Sequence, residues 1–288
     1  MRRFAVIDVG SNSVRLMLVA DGKVLYKRLN TTRLGEGLAQ APYLKEEAAE
    51  RSAVAVSQFY AQAKEDGAEE VFVFATAATR TAKNKEIFTD RVKALCGLTV
   101  DVIAGEEEAE IGMMGAIGNN DGAIIDIGGA STEIVVKKDG DIVYKKSIDI
   151  GVVRLKDLCG TDKKRLEEVA CLEIKNFGNV PLQTTFYGIG GTATTLAAQY
   201  LGLTEYQSDK ITGAVISMQA VEKLADKFAL MTTEQIACLP CMPRGRADVI
   251  LGGAVLLATL MKVLGIAKVT ASDRDNLEGY AIKRGLME

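Results

Sequence analysis

The sequence predicts an α/β protein of two similar domains facing one another, and three observations carry that expectation. A strand–turn–strand pattern with a central aspartate occurs twice, 118 residues apart. Short β-branched runs, read as strands, alternate with longer segments of helical period. The chain has 288 residues, about twice a domain of roughly 150.

The second copy of the pattern is Ala123-Ile124-Ile125-Asp126-Ile127-Gly128-Gly129-Ala130-Ser131-Thr132-Glu133-Ile134. Asp126 interrupts an apolar run, where a carboxylate is expensive unless it has a partner. Gly128 and Gly129 allow a sharp turn whose N–H groups can approach an anion, and Ser131 and Thr132 add hydroxyl donors. Taken alone, this is equally an ordinary Gly-Gly hairpin. The first copy is Ala5-Val6-Ile7-Asp8-Val9-Gly10-Ser11-Asn12-Ser13-Val14-Arg15-Leu16. Asp8 aligns with Asp126, Gly10 with Gly128 and Ser13 with Ser131. The match runs on without a gap, Asp21-Gly22 falling on Asp139-Gly140, and each half continues as strand, Asp-Gly turn, strand, a hairpin signature. A repeat this long is no solenoid unit. It implies two domains of one fold, 1–120 and 121–276, each offering a phosphate-binding hairpin to the cleft between them, with the last helix, about 277–288, free to pack back on the first.

Composition narrows the function. Hydrophobic content of 48% with 25% charged residues is ordinary for a globular chain. A net charge of −3 without a basic run argues against nucleic-acid binding. No apolar run reaches the ~18 residues of a membrane span, and Met1-Arg2-Arg3 leads straight into a strand rather than a signal peptide. Five scattered cysteines suit a reducing cytoplasm. Histidine is absent, which removes His-based triads, His metal ligands and phosphohistidine chemistry, so proton transfer falls to Asp, Glu, Lys, Tyr or Cys.

In chain order, 4–9, 14–20 and 24–29 read as three antiparallel strands, 33–38 as a glycine loop and 45–66 as a helix. Residues 71–75 form a buried strand. Arg80 follows just beyond its C-terminal end, where open α/β sheets bind ligands, which makes it a phosphate-binding candidate. A helix at 86–95 and a strand at 100–103 precede the acidic helix start Gly105-Glu106-Glu107-Glu108. Acids there favour the helix dipole, yet one of them can face the cleft as a general base, and spacing does not choose between Glu106, Glu107 and Glu108. Strands at 123–127, 132–136 and 142–148 repeat the opening motif, and a charged helix spans 163–177. Residues 184–189 read as a strand, followed by Gly190-Gly191-Thr192 and a helix to Tyr200, an anion site without the Lys of a Walker loop. An amphipathic helix covers 215–228, a shorter one 233–239. Cys238 and Cys241 have the spacing of half a zinc site or of a redox pair, but there is no second cysteine pair or His to complete the zinc site and no thioredoxin-like setting for the redox pair. An apolar helix at 248–263, a strand at 268–271 and a helix at 277–286 finish the chain, with Asp273 and Arg274 placed to line the cleft.

Taken together, AVIDVGSNSVRLMLV, RLGEGL, ATAATR, IAGEEEAE, AIIDIGGASTEIV, YGIGGT and SDRDNLEG resemble the exopolyphosphatase and guanosine pentaphosphate phosphatase family, nearly end to end and in order. The chain looks like the short, two-domain form. The resemblance implies two ribonuclease-H-like domains, each a mixed five-stranded sheet with flanking helices, around a cleft, as in the actin and sugar-kinase superfamily. It implies dependence on Mg2+ (or Mn2+) and removal of the terminal phosphate of polyphosphate or of guanosine pentaphosphate (pppGpp), with a homodimer as a further expectation. By the same resemblance Glu108 activates water, and Asp126 and Glu133 are the further cleft acids. Asp8, Asp126 and Glu133 would hold metal, while Asn12, Ser13, Arg80, Gly128, Gly129, Ser131, Gly190, Gly191 and Thr192 would hold phosphate. Family members commonly carry Gly where Ala130 stands, and many carry Arg where Leu277 stands. A small-molecule kinase, an actin-like assembly protein and a non-catalytic pppGpp sensor would share the hairpins and are the competing expectations.

Overall fold

The computed structural model describes residues 2–182 and 185–287. In the first sheet, β1 (Arg3–Val9), β2 (Ser13–Ala20) and β3 (Lys23–Thr31) form an antiparallel meander. On the far side of β1, β4 (Glu70–Ala75) and β5 (Asp101–Val102) add in parallel, giving the order β3-β2-β1-β4-β5. The connections carry α1 (Glu46–Glu65), α2 (Ala77–Thr81) and α3 (Glu86–Cys96), and α4 (Gly105–Ile117) leads into the second half. There β6 (Gly122–Ile127), β7 (Thr132–Lys138) and β8 (Asp141–Ile148) repeat the meander. After α5 (Val152–Cys159) and α6 (Lys163–Ile174) come β9 (Phe186–Ile189), α7 (Gly190–Tyr200), α8 (Ser208–Ile211) and β10 (Val215–Ser217). Then follow α9 (Met218–Ala229), α10 (Thr233–Ala237), α11 (Ile250–Leu264), β11 (Lys268–Ala271) and α12 (Asn276–Lys283). The chain is thus two mixed-sheet α/β domains with the ribonuclease-H-like strand pattern repeated.

The duplication holds at atomic detail. Gly10 N donates to Ser13 O and Gly128 N to Ser131 O, each at 3.0 Å. Asp21 and Gly22 both have positive φ (48° and 75°), as do Asp139 and Gly140 (55° and 86°), so both Asp-Gly pairs make the tight turn whose twist matches a hairpin. Both meanders carry a bulge in the same place, at Leu18/Val19 and at Val136/Lys137.

Several elements differ from expectation. The second sheet has six strands among the described residues, order β10-β11-β9-β6-β7-β8, rather than five. The added strand, β10, stands where the sequence predicts the first turn of a helix at 215–228. Ser217 Oγ accepts from Ala220 N at 3.2 Å and caps α9 there, so the β-branched pair before it is left to pair with β11. Residues 77–81, 152–159 and 208–211, for which the sequence predicts no element, form α2, α5 and α8. The strand expected from residue 184 begins at Phe186, residue 184 itself lying outside the described residues.

Strand alternation aims the two aspartates. Ala5, Ile7 and Val9 pack with α1 and α3 on one face of the first sheet, while Val6 packs with Ile111 and Leu277 on the other, the side of α4 and α12. Asp8 shares the face of Val6. In the second sheet Ile125 and Ile127 face the larger core, Ile124 packs on Ala109 and Met113 of α4, and Asp126 shares that face. Both carboxylates therefore point to the space beside α4 and α12.

These two helices cross in backbone contact. A β-carbon on Gly279 would lie 1.6 Å from Ile111 O, and one on Gly115 would lie 1.9 Å from Asp275 O. Leu277 and Tyr280 are buried against the first sheet, Tyr280 stacking on Phe74 at 4.5 Å. Leu277 thus occupies an apolar core position. Since neither helix can yield at a backbone contact, Gly279→Ala is expected to cost on the order of 3 kcal/mol of unfolding free energy in urea titration. An exposed control such as Gly285→Ala, at φ 68° with no neighbouring atom, should cost only the smaller strain of its own backbone.

Candidate active site in the cleft

The hairpin tips touch. A β-carbon on Gly129 would fall 2.7 Å from Ser11 Cβ and 3.0 Å from Asn12 N, so only glycine lets the second turn reach the first. The glycine loop at 33–38 backs the first turn, Gly35 N donating to Ser11 O at 2.8 Å and Arg33 N to Asn12 O at 2.9 Å. Beside this contact lies a cavity of about 460 Å³. Five carboxylates line it: Asp8, Glu108, Asp126, Asp273 and Asp275. Asn12, Ser13, Gly128, Gly129 and Ser131 line it from the turns, and Gly190 and Gly191 from the start of α7. Three segments far apart in sequence thus bring their small residues together as expected.

The acids have unequal surroundings. Asp126 accepts a hydrogen bond from Asn276 Nδ2 at 3.2 Å, and its Oδ1 comes within 2.6 Å of where a β-carbon on Gly190 would stand. Burial, then the neighbouring Asp275 and Glu108, lift its pKa to about 7. Glu133 is opposite it across the hairpin, buried behind the cavity wall rather than lining it, and accepts from Ser147 Oγ at 2.6 Å. Burial and the charges of Glu108 and Asp126 push its pKa well above the usual range. Glu108 is also raised by burial, but Arg80 opposes the shift, its Nη1 donating to Glu108 Oε2 at 2.9 Å and to Ile103 O at 3.1 Å. Arg80, expected at the phosphate, therefore stands behind Glu108 as its counter-ion. Thr192 likewise donates its hydroxyl to Ile127 O at 2.9 Å, bracing β6 beneath the cavity.

The cation that the cavity presents is one the motifs did not single out. Arg246 lies in the loop before α11, 7% exposed, and forms no ion pair among the described residues. A β-carbon on Gly191 would meet its Nη2 at 2.2 Å, so that glycine is what lets the guanidinium in. Burial and the nearby Arg15 lower its pKa to about 10, where it still carries full charge at neutral pH. An isolated buried guanidinium is costly without an anion, and a phosphate offers the matching fork geometry. The sequence signal was slight: an Arg between Gly245 and Ala247 at the head of an apolar helix. Asp273 lines the cavity as expected and accepts from Ser208 Oγ at 2.7 Å, whereas Arg274 is not among its lining residues.

The donors suit a hard divalent cation in one mode. Among the described residues no three carboxylates or thiolates converge into a preformed cage. Asp8 Oδ1, however, is buried without a partner while its Oδ2 is held by Arg15, and Asn12 Oδ1 is buried and unpartnered too. One or two carboxylates completed by ligand oxygens and water is how Mg2+ is ordinarily held. Cys238 is exposed and Cys241 lines the cavity; all five cysteines are free thiols. No helix among the described residues is long and apolar enough to cross a membrane.

Comparison with known proteins agrees with this architecture. Residues 16–285 match the Ppx/GppA phosphatase family. Exopolyphosphatase 2 of Mycobacterium tuberculosis is 32% identical, covering 98% of both chains. Guanosine-5'-triphosphate,3'-diphosphate pyrophosphatase of Photobacterium profundum is 30% identical over 99% of this chain and 58% of its own longer one. The crystal structure of the Aquifex aeolicus Ppx/GppA member superposes with a TM-score of 0.79 at 30% identity, over 99% of this chain and 98% of that one. The paired hairpins, the acids that line their junction and these matches over nearly the whole length agree: the chain belongs to the Ppx/GppA phosphatase family.

Proposed function

We propose that this protein hydrolyses the terminal phosphoanhydride bond of linear polyphosphate or of pppGpp, releasing orthophosphate by direct attack of water. The observation that carries the reading is one cavity where an acid of raised pKa, two glycine turns and a guanidinium, Arg246, without an ion pair among the described residues converge. The names of its relatives supply the two substrates.

In this reading, Arg246 and the turn N–H groups at Gly128, Gly129, Gly190 and Gly191 hold the terminal phosphoryl oxygens, with Asn12, Ser13 and Ser131 as further polar contacts. Preorganised donors of this kind stabilise the charge that grows on the transferred group. Glu108, fixed by Arg80, accepts the proton of the attacking water. The phosphate chain leaves as a stable anion and needs no acid. Asp8 and Asp126 would hold Mg2+, which neutralises charge on the phosphoryl oxygens when bound. Residues 1–120 and 121–276 are the two bodies that close on the substrate and exclude other water.

Phosphate release is to be measured in parallel from long polyphosphate, pppGpp and ATP, with Mg2+ or with EDTA. Release from at least one of the first two, lost with EDTA, is expected. Glu108→Gln should lower kcat by about 10²- to 10⁴-fold, the usual contribution of a general base. Unchanged kcat would remove Glu108 from the mechanism, and phosphate transfer from ATP to an added hydroxyl compound would favour a kinase.

The acid cluster gives a second test. Asp126 ordinarily titrates near 3.8 and here near 7. The folded chain thus keeps a proton that the unfolded chain releases, and stability falls as pH rises through that window. In metal-free buffer, Asp126→Asn should leave the unfolding free energy nearly unchanged at pH 4 and raise it by on the order of 4 kcal/mol at pH 8.

A further inference from the structure

The two hairpins share a pattern but give their aspartates opposite partners. The offset of 118 residues that lays Asp8 on Asp126 also lays Arg15 on Glu133. Both are direct cross-strand neighbours of their aspartates, Asp8 opposite Arg15 and Asp126 opposite Glu133. The second hairpin is therefore an acid pair and the first an ion pair.

Arg15 does not end at Asp8. Its Nε, at 3.0 Å, and its Nη2 donate to Asp8 Oδ2, and its Nη1 donates to Asp275 Oδ2. All three nitrogens are engaged by carboxylates of the protein, in contrast to Arg246. Asp275 is the N-cap of α12: its Oδ1 accepts from Leu277 N at 3.0 Å, and its own N–H donates to Glu278 Oε2 at 3.0 Å. The next residue, Asn276, donates to Asp126. Two consecutive residues at one helix start thus reach both repeat aspartates, one through Arg15 and one directly. That start is itself immobilised. Leu277 is buried in the core of the first sheet, Lys27 Nζ lies 2.6 Å from Glu278 Oε1, and Asp275 O presses on Gly115 of α4.

We propose that Asp275 and Asn276 are positioning residues, a clamp at the start of α12 that orients Asp8 and Asp126 together for the chemistry of the cleft. The inference rests on the reading that both aspartates serve that chemistry. With Oδ2 of Asp8 tied to Arg15, Oδ1 is the atom left for the cavity, in one orientation rather than several. With Oδ2 of Asp126 tied to Asn276, the same follows on the facing hairpin. The clamp joins parts that the fold otherwise supplies from separate sheets. A reacting group misplaced by ~1 Å can cost about 10²-fold in rate, so a link of this kind carries a measurable share of turnover.

The test uses Asp275→Asn and Asn276→Ala in the full chain. Asn caps helices as well as Asp, so the first variant keeps α12 capped while weakening the hold on Arg15. The second removes the donor to Asp126 and leaves Asp275 in place. Each is expected to lower kcat by roughly 10- to 100-fold on whichever substrate the wild type hydrolyses. KM should change by less than about 3-fold, and the thermal midpoint by only a few degrees for the capped variant. Electron paramagnetic resonance of Mn2+ titrated into substrate-free protein should show several-fold weaker binding in both. A raised KM at constant kcat would make Arg15 and Asp275 a substrate-binding pair and overturn the clamp. Wild-type kcat in both variants would also overturn it. If the wild type releases no phosphate, the catalytic reading falls; the clamp then stands only if Mn2+ binding is present and weakened in the variants, and falls otherwise.

Discussion

The cleft depends on a contact with no room for a side chain. Gly129 rests on Ser11 and Asn12, Gly35 presses on Ser11 from behind, and Gly151 packs on Gly128 and Gly129, where an added β-carbon would meet backbone at 2.5 to 2.6 Å. Each hairpin is ordinary on its own. Their apposition is not, because two turns with side chains at these positions would be pushed apart, and the N–H groups of one would move away from a ligand shared with the other. The same constraint recurs at the back of the site, where α4 and α12 cross at Gly115 and Gly279. Glycine-only contacts therefore fix the distance between the two halves at front and rear, and the aspartates on the facing strands inherit that distance.

Why much of this was legible in the sequence follows from locality. Hairpin, Asp-Gly turn and strand alternation are set by neighbours in the chain, so Asp8 and Asp126 could be aligned, and aimed at a common face, from the letters alone. Even the bulges at Leu18/Val19 and Val136/Lys137 keep the repeat's offset. What escaped was non-local or masked by a stronger periodicity. The apolar period of α9 ran back through Val215 and Ile216, and only the hydroxyl of Ser217 marks where the helix begins. Arg246 reaches the cavity across Gly191, a partner 55 residues away, which no spacing rule connects. Asn276 finds Asp126 from the far end of the chain. Arg80 was placed correctly beyond the end of β4, but a guanidinium there can serve a ligand or a neighbouring acid, and the nearest anion turned out to be Glu108.

That last placement bears on how three crowded acids divide their protons. Glu108, Asp126 and Glu133 are each raised by burial and by one another's charge, so full ionisation of all three at neutral pH is unfavourable in the absence of a cation. Hydrogen bonds from neutral groups, Ser147 on Glu133 and Asn276 on Asp126, offset little of that repulsion. Glu108 alone has a guanidinium in contact. Arg80 therefore opposes at Glu108 the upward shift that burial imposes on all three acids. A carboxylate with a pKa above the usual range that also has a counter-ion is suited to act as a base. In the proposed mechanism the Arg80–Glu108 pair would keep one carboxylate in a cluster of like charges able to take a proton from water, and would leave the phosphate to the second cation, Arg246.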